Sequence, residues 1–218
     1  MLFTQNPAAL LYMLPILVVT LTVHELCHGL AAYGLGDTTA KEQGRLSLNP
    51  LRHIDPIGFA MLLIMGFGWA KPVGVDLRNL KKPKRDFALV AAAGPFANFT
   101  LAFLFALVAL SLGYAYRLNE LTWDVLRYAI LINVGLGVFN MFPIPPLDGS
   151  RLLAAFLPDK LYERYLRIGR YGMIAVMLLI ASERIFGFSI LTGAISVIFS
   201  GIIELADVPV RLLFQLFR

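Results

Sequence analysis

The chain has 218 residues, of which 58% are hydrophobic and 15% charged, with a mean hydropathy of +0.73 and a formal net charge of +5. That composition excludes an ordinary soluble domain, and repeated apolar runs of about 20 residues, the length that crosses a hydrocarbon layer of about 30 Å, point to a polytopic helical membrane protein. The single cysteine, Cys27, excludes an internal disulfide framework and any cysteine-paired structural zinc site.

In chain order, the first predicted span covers residues 7–33. No Lys or Arg precedes Lys41, and the apolar stretch is too long for a signal core, so it reads as a retained span rather than a cleaved leader. Residues 34–56 are polar, and Thr38, Thr39, Leu46 and Leu48 among glycines predict a small β hairpin at the membrane face. Residues 57–69 are apolar but short; they are expected to enter and leave on one side, with Gly58, Gly66 and Gly68 permitting an irregular or mobile backbone. Further spans are predicted over residues 87–113, 125–142, 170–186 and 188–206. The expected fold is an all-α polytopic membrane protein of five to six transmembrane helices, with a re-entrant segment and a small β hairpin at the cytoplasmic face. No linker, repeat or low-complexity stretch divides it, so residues 1–218 are expected to form a single membrane-embedded domain.

Basic residues orient the chain. With the N-terminus outside, the loops 34–56, 70–86 and 143–170 and the tail after 206 carry sixteen of the nineteen Lys and Arg residues, Lys81, Lys82, Lys84 and Arg85 among them. Cytoplasmic loops accumulate such residues during insertion. The positive charge is therefore an orientation signal and a contact for anionic lipid, and nucleic acid is not expected as a partner, because no basic patch is interleaved with stacking aromatics. Trp69 and Trp123 read as interfacial anchors.

The chemistry begins in His24-Glu25-Leu26-Cys27-His28, near the end of the first span. Ionisable groups inside a membrane helix cost several kcal/mol each unless paired, solvated or metal-bound. Residues four apart lie on one helix face about 6 Å apart along the axis, so His24 and His28 aim their imidazoles at one point, where one zinc ion could sit. Glu25 stands beside that point, as the general base does in the zinc-peptidase motif. A catalytic zinc usually takes three protein ligands, and Asp148 is the strongest further candidate. It follows the proline-broken run Asn140-Met-Phe-Pro-Ile-Pro-Pro-Leu at the end of the span 125–142, on the side where the first span ends. Alternatively Asp148 is a helix N-cap or part of a plain Asp-Gly turn. Asn140 could hydrogen-bond an oxyanion or a substrate backbone, or merely tie helices together.

These residues resemble those of the site-two protease family of intramembrane zinc metalloproteases. The resemblance rests on four stretches: residues 24–28; Asn49-Pro50-Leu51-Arg52-His53-Ile54-Asp55-Pro56-Ile57-Gly58; Gly94-Pro95-Phe96-Ala97-Asn98; and residues 140–149. It implies one zinc ion per chain held by His24, His28 and Asp148, with Glu25 as base, and a substrate that is a transmembrane helix or its remnant. The likeness is to the short subgroup without PDZ or CBS modules. His53 and Asn98 are candidate substrate or proton contacts, against solvated or packing roles, while Gly94 and Pro95 are expected to permit close helix packing. Lys71-Pro72-Val73-Gly74-Val75 could pair edge to edge with an extended substrate, which makes Val73 and Val75 candidate substrate-binding residues.

The expected function is intramembrane zinc endoproteolysis of membrane-protein substrates in the bilayer of a prokaryotic cell, with the active site near the cytoplasmic side. Two rivals stand beside it. A catalytically inactive pseudoprotease or chaperone is disfavoured by the intact His24, Glu25, His28 and Asp148 set; a metal transporter is disfavoured because its ligand clusters should line a path across the bilayer. Oligomeric state leaves no readable trace.

Overall fold

The computed structural model describes residues 9–65, 68–186 and 190–216. Helix α1 (Leu10–Gly34) is followed by the short α2 (Thr39–Glu42), a 3-10 turn at Pro50–Arg52, and α3 (Pro56–Met65). An extended segment leads through a second 3-10 turn, Leu77–Asn79, into α4 (Pro83–Ala115) and α5 (Glu120–Met141). Then come α6 (Asp148–Phe156), α7 (Asp159–Ile168), a third 3-10 turn at Gly169–Tyr171, α8 (Gly172–Phe186) and α9 (Ile190–Leu216).

Four of these, α1, α4, α5 and α9, are long and apolar enough to cross a membrane. At 1.5 Å per residue even α5, with 22 residues, reaches about 33 Å, whereas the 15-residue α8 reaches about 22 Å, short of the hydrocarbon thickness. The protein is thus a multi-pass helical membrane protein, with four helices of spanning length among the described residues. Residues 7 and 8 of the first expected span and residues 188 and 189 of the last lie outside the described residues.

Helix α4 is the axis, touching α1, α5, α6 and α9. Its inward stripe is Ala102, Ala106 and Ala109, closed on by Ile130, Val134 and Val138 of α5 and Ala206 of α9. Lipid tails are as apolar as these side chains, so close backbone approach and dispersion, rather than water exclusion, favour association here. Gly137 of α5 contributes in the same way: a Cβ there would come within 2.7 Å of the Phe99 ring. A polar tie also joins α5 to α1, where the buried Asn133 donates to Thr20 Oγ1 at 3.1 Å.

The expected hairpin within residues 34–56 is not formed. Thr39–Glu42 is helical, and among the described residues the β pairing is limited to an isolated antiparallel bridge between Ile54 and Ala70. Side chains and turns satisfy this backbone instead. The Asp37 carboxylate accepts the Thr39 N–H, Gly44 turns the chain at φ +65, and the Asn49 side chain accepts the Leu51 N–H to start the 3-10 turn. With propensity runs this short, local hydrogen bonding wins over strand pairing.

Helix α3, ten residues and about 15 Å long, occupies the region expected to enter and leave on one side. Its flanks meet at the Ile54–Ala70 bridge, reinforced by the Lys71 N–H donating to His53 O at 2.8 Å. Gly58 and Gly68 are sites of close packing rather than loose backbone: a Cβ on Gly58 would lie 2.9 Å from the Trp69 ring, and one on Gly68 would lie 2.7 Å from Leu62 Cβ. Gly66 lies outside the described residues.

Because the α4 stripe leaves no room for larger side chains, Ala106→Leu is expected to destabilise the bundle by about 1–3 kcal/mol. The thermal unfolding midpoint of the detergent-solubilised protein measures this, and an unchanged midpoint would refute the packing account.

Candidate metal centre

His24 and His28 lie one turn apart on α1, both buried and both facing α4. Their rings meet edge to face with centroids 4.6 Å apart, which brings the two Nε2 atoms to 3.1 Å. Asp148 arrives from the opposite side of the sequence, at the first turn of α6 beyond the run Pro143-Ile144-Pro145-Pro146. Its Oδ2 stands 3.2 Å from His24 Nε2 and 3.3 Å from His28 Nε2.

The other nitrogen of each ring decides the chemistry. His24 Nδ1–H donates to Asn98 Oδ1 at 2.7 Å, and His28 Nδ1–H donates to the Val90 carbonyl at 2.7 Å, both acceptors on α4. With each Nδ1 carrying the proton, both Nε2 atoms present lone pairs. Two imidazole lone pairs and a carboxylate oxygen therefore converge, an arrangement that repels itself unless a cation stands among them. The three edges of 3.1, 3.2 and 3.3 Å match the roughly 3.3 Å separation of ligands around tetrahedral zinc bound at about 2.0–2.1 Å. Among the described residues this is the one group of three such side chains close enough to share an ion.

Two glycines make the approach possible. A Cβ on Gly94 of α4 would collide with His28 Nε2 and stand 2.7 Å from His24 Cε1, so α4 can press on the imidazole pair only through a bare backbone. A Cβ on Gly149 would strike the Met141 carbonyl and lie 2.7 Å from that of Phe142. Asp148 is thereby seated against the end of α5.

A cavity of about 370 Å³ opens beside the three ligand atoms. Glu25, Asn140, Val73 and Val75 line it together with His24, His28 and Asp148. Glu25 Oε2 accepts the Val73 N–H at 3.0 Å, and Asn140 Nδ2 donates to the Leu136 carbonyl one turn back at 3.0 Å.

The model of Peptidase family M50 matches residues 115–180, which include Asn140 and Asp148. The chain is 39% identical over 184 residues to YwhC of Bacillus subtilis, covering 81% of this chain and 84% of that one. It is 29% identical over 167 residues to Rip2 of Mycolicibacterium smegmatis, covering 75% of this chain and 64% of that one. Both relatives carry zinc metalloprotease in their names. The chain belongs to peptidase family M50. No solved structure matches it.

Of the residues singled out in this M50 chain, seven surround one cavity and two do not. Asn98 is buried behind His24, where its Oδ1 takes the ring proton. His53 is buried by the 3-10 turn, where its Nε2–H donates to the Ser47 carbonyl at 2.8 Å, and it lines an adjoining apolar cavity of about 430 Å³. Arg151 went unnoticed in the sequence. It lies three residues beyond Asp148 on α6, lines the metal-side cavity and holds its guanidinium 4.3 Å from the Phe87 ring centre. The i, i+3 spacing from Asp148 was the available signal.

Asn98 Oδ1 takes the His24 Nδ1 proton and leaves Nε2 with its lone pair, so Asn98→Ala is expected to weaken zinc affinity about 10–100-fold. Competition against a zinc chelator, with circular dichroism showing retained helix, measures it; unaltered affinity would remove the orienting role.

Proposed function

We propose that this M50 zinc metallopeptidase holds one zinc ion on His24, His28 and Asp148 and hydrolyses peptide bonds of membrane-protein substrates within or next to the bilayer. The observation that carries the reading is the meeting of two tautomer-fixed imidazoles and a carboxylate beside Glu25 on a helix of membrane-spanning length. When bound, zinc polarises the scissile carbonyl and lowers the pKa of water at its open position.

Glu25 takes a proton from the attacking water, whose oxygen adds to the carbonyl carbon. It returns that proton to the nitrogen as the C–N bond breaks, leaving a carboxylate and an amine. The Val73 N–H engages Oε2 and leaves Oε1 for the water. Asn140 gives one amide hydrogen to Leu136 O and keeps its other for a substrate carbonyl or the developing oxyanion.

A peptide bond inside a helix is shielded by its own hydrogen bonding, so the substrate must open locally. Residues 73–75 belong to no helix or strand, and beyond the Val73 N–H their amides and carbonyls have no hydrogen-bond partner among the described residues. That free edge at the cavity wall supports pairing with an unwound substrate strand. Residues 1–218 act in this reading as one domain, with α3 dipping into the bilayer and returning. By the distribution of Lys and Arg the site faces the cytoplasm, in the cell membrane of a prokaryote. His28 and His24 lie about 9 and 15 Å along the axis from the end of α1 at Gly34, which puts the proposed zinc beneath that surface.

The inactive-chaperone and transporter readings are not favoured. A transporter needs further ligand groups along a path, and the described residues hold one.

Glu25→Gln is expected to keep about one zinc per chain and to lose cleavage of a reconstituted transmembrane substrate by about 10²–10⁴-fold. Wild-type turnover in that variant would refute the base assignment. Val75→Pro deletes one amide from the free edge and is expected to raise KM several-fold at constant zinc content; an unaltered KM would exclude strand pairing there.

A further inference from the structure

Glu25 takes its hydrogen bond from Val73, in a segment that carries no regular ladder. Three anchors hold that segment. At its start the Ile54–Ala70 bridge and the Lys71 N–H to His53 bond fix residues 70 and 71. Next, the buried Arg45 points Nη2 at the carbonyls of Pro72, at 3.2 Å, and Lys71, at 3.5 Å. Beyond Val73, the fully buried Asp37 accepts the Asp76 N–H on Oδ2 at 2.8 Å. Its Oδ1 accepts the Asn79 Nδ2–H at 2.9 Å, the Thr39 N–H at 3.1 Å and the Thr39 hydroxyl at 2.5 Å.

Val73 stands between the last two anchors and packs toward α1. A Cβ on Gly29 would lie 3.6 Å from Val73 Cγ1 and 2.8 Å from Leu46 Cδ2, so the wall is seated on that bare turn of helix. Asp37 and Arg45 carry opposite charges, yet no ion pair joins them or links either to another described residue. Arg45 directs Nη2 to the carbonyls of residues 71 and 72, and one of the four hydrogen bonds to Asp37 comes from the Asp76 N–H; bonds to an ionised partner are the stronger kind. Burial alone would push the Asp37 carboxyl upward; its hydrogen bonds outweigh that and hold it below the ordinary carboxylate range, so it is ionised at neutral pH.

We propose that Asp37 and Arg45 are positioning residues for hydrolysis, which fix segment 71–76 so that the Val73 N–H holds the Glu25 carboxylate in its working orientation toward the metal. The proposal rests on the reading of Glu25 as the base. Asp37 dominates: among the described residues the one bonded main-chain N–H of residues 74–76 is that of Asp76, which Asp37 holds, and without it the Val73 side of the segment is restrained through the bonds at residues 70–72.

The test uses the full-length protein reconstituted with a model transmembrane substrate, comparing wild type with Asp37→Asn, Asn79→Ala, Val73→Pro and the Asp37→Asn/Val73→Pro double variant. An amide in place of the carboxylate turns an NH2 toward one set of donors. Asp37→Asn should therefore lower kcat about 10–100-fold, the scale of a misplaced catalytic group, with zinc content and KM nearly unchanged. Exchange of the hydrogen-bonded Val73 and Asp76 amides should quicken. In the Val73→Pro background, which already lacks the N–H, Asp37→Asn should cost no more than about threefold further, because both changes break one linkage. Equal losses in the two backgrounds, or a loss explained wholly by missing zinc, would overturn the proposal. If Asp37→Asn does not fold, the exposed Asn79→Ala decides: kcat per bound zinc should fall several-fold, and an unchanged value overturns the idea. Zinc-loaded wild type that cuts nothing would overturn the hydrolytic reading and this proposal with it, whereas active wild type with an indifferent Asp37→Asn overturns this proposal alone.

Discussion

Three electron-pair donors facing one another in a buried space are the constraint on which the rest of the structure depends. His24 Nε2, His28 Nε2 and Asp148 Oδ2 stand 3.1–3.3 Å apart, with both imidazole protons committed to acceptors on α4. In a medium of low polarity, uncompensated convergence of this kind is costly, and it falls to a divalent cation to reverse its sign. The fold brings the three together from positions 24, 28 and 148, so the proposed zinc ties the end of α1 to the start of α6. Metal binding and closure of the bundle around the site are therefore coupled events.

The closeness of that convergence depends on side chains that are missing. Gly94 lets α4 rest on the imidazole pair, Gly149 lets Asp148 tuck under the end of α5, and Gly29 lets the wall carrying Val73 lie on α1. Each glycine serves a different pair of elements around the site. In a membrane interior, close approach of backbones is also a main source of helix association. The same residues thus favour both bundle cohesion and metal geometry, and a methyl group added at any of them disturbs both.

The sequence made the centre of this site readable and its surroundings much less so. His24, Glu25 and His28 are legible because intramembrane charge is rare and helix spacing converts i, i+4 into one face. Asp148 was reachable because three prolines break the chain just before it. For Asn98, an isolated amide in an apolar run signals a polar partner, but the sequence does not say that the partner is a ring nitrogen on α1. The burial of His53 against Ser47 was not legible, since it depends on a loop fold that propensity does not encode. The hairpin expected in residues 34–56 shows the same blindness, because Asp37, Gly44 and Asn49 satisfy the backbone locally where pairing seemed available.

What that loop does instead bears on catalysis. A general base must be free enough to accept and return a proton, yet its carboxylate must not wander, and a side chain on a membrane helix has few polar neighbours to restrain it. Here the restraint comes from a main-chain amide, which cannot titrate and cannot compete for the proton. A charged side chain in that place would pair with Glu25 and alter its basicity, whereas an N–H group orients one oxygen and leaves the other open. For such a restraint to work the amide must itself be immobile, and outside a sheet immobility has to be supplied by side chains anchored elsewhere. Asp37 and Arg45 sit beyond the end of α1, both buried, where hydrogen bonds to the main chain and to polar side chains offset the cost of their charge. In the proposed arrangement the rigidity of the cavity wall thus originates in the polar corner around Asp37 and Arg45 and is passed to Glu25 through residues 71–76.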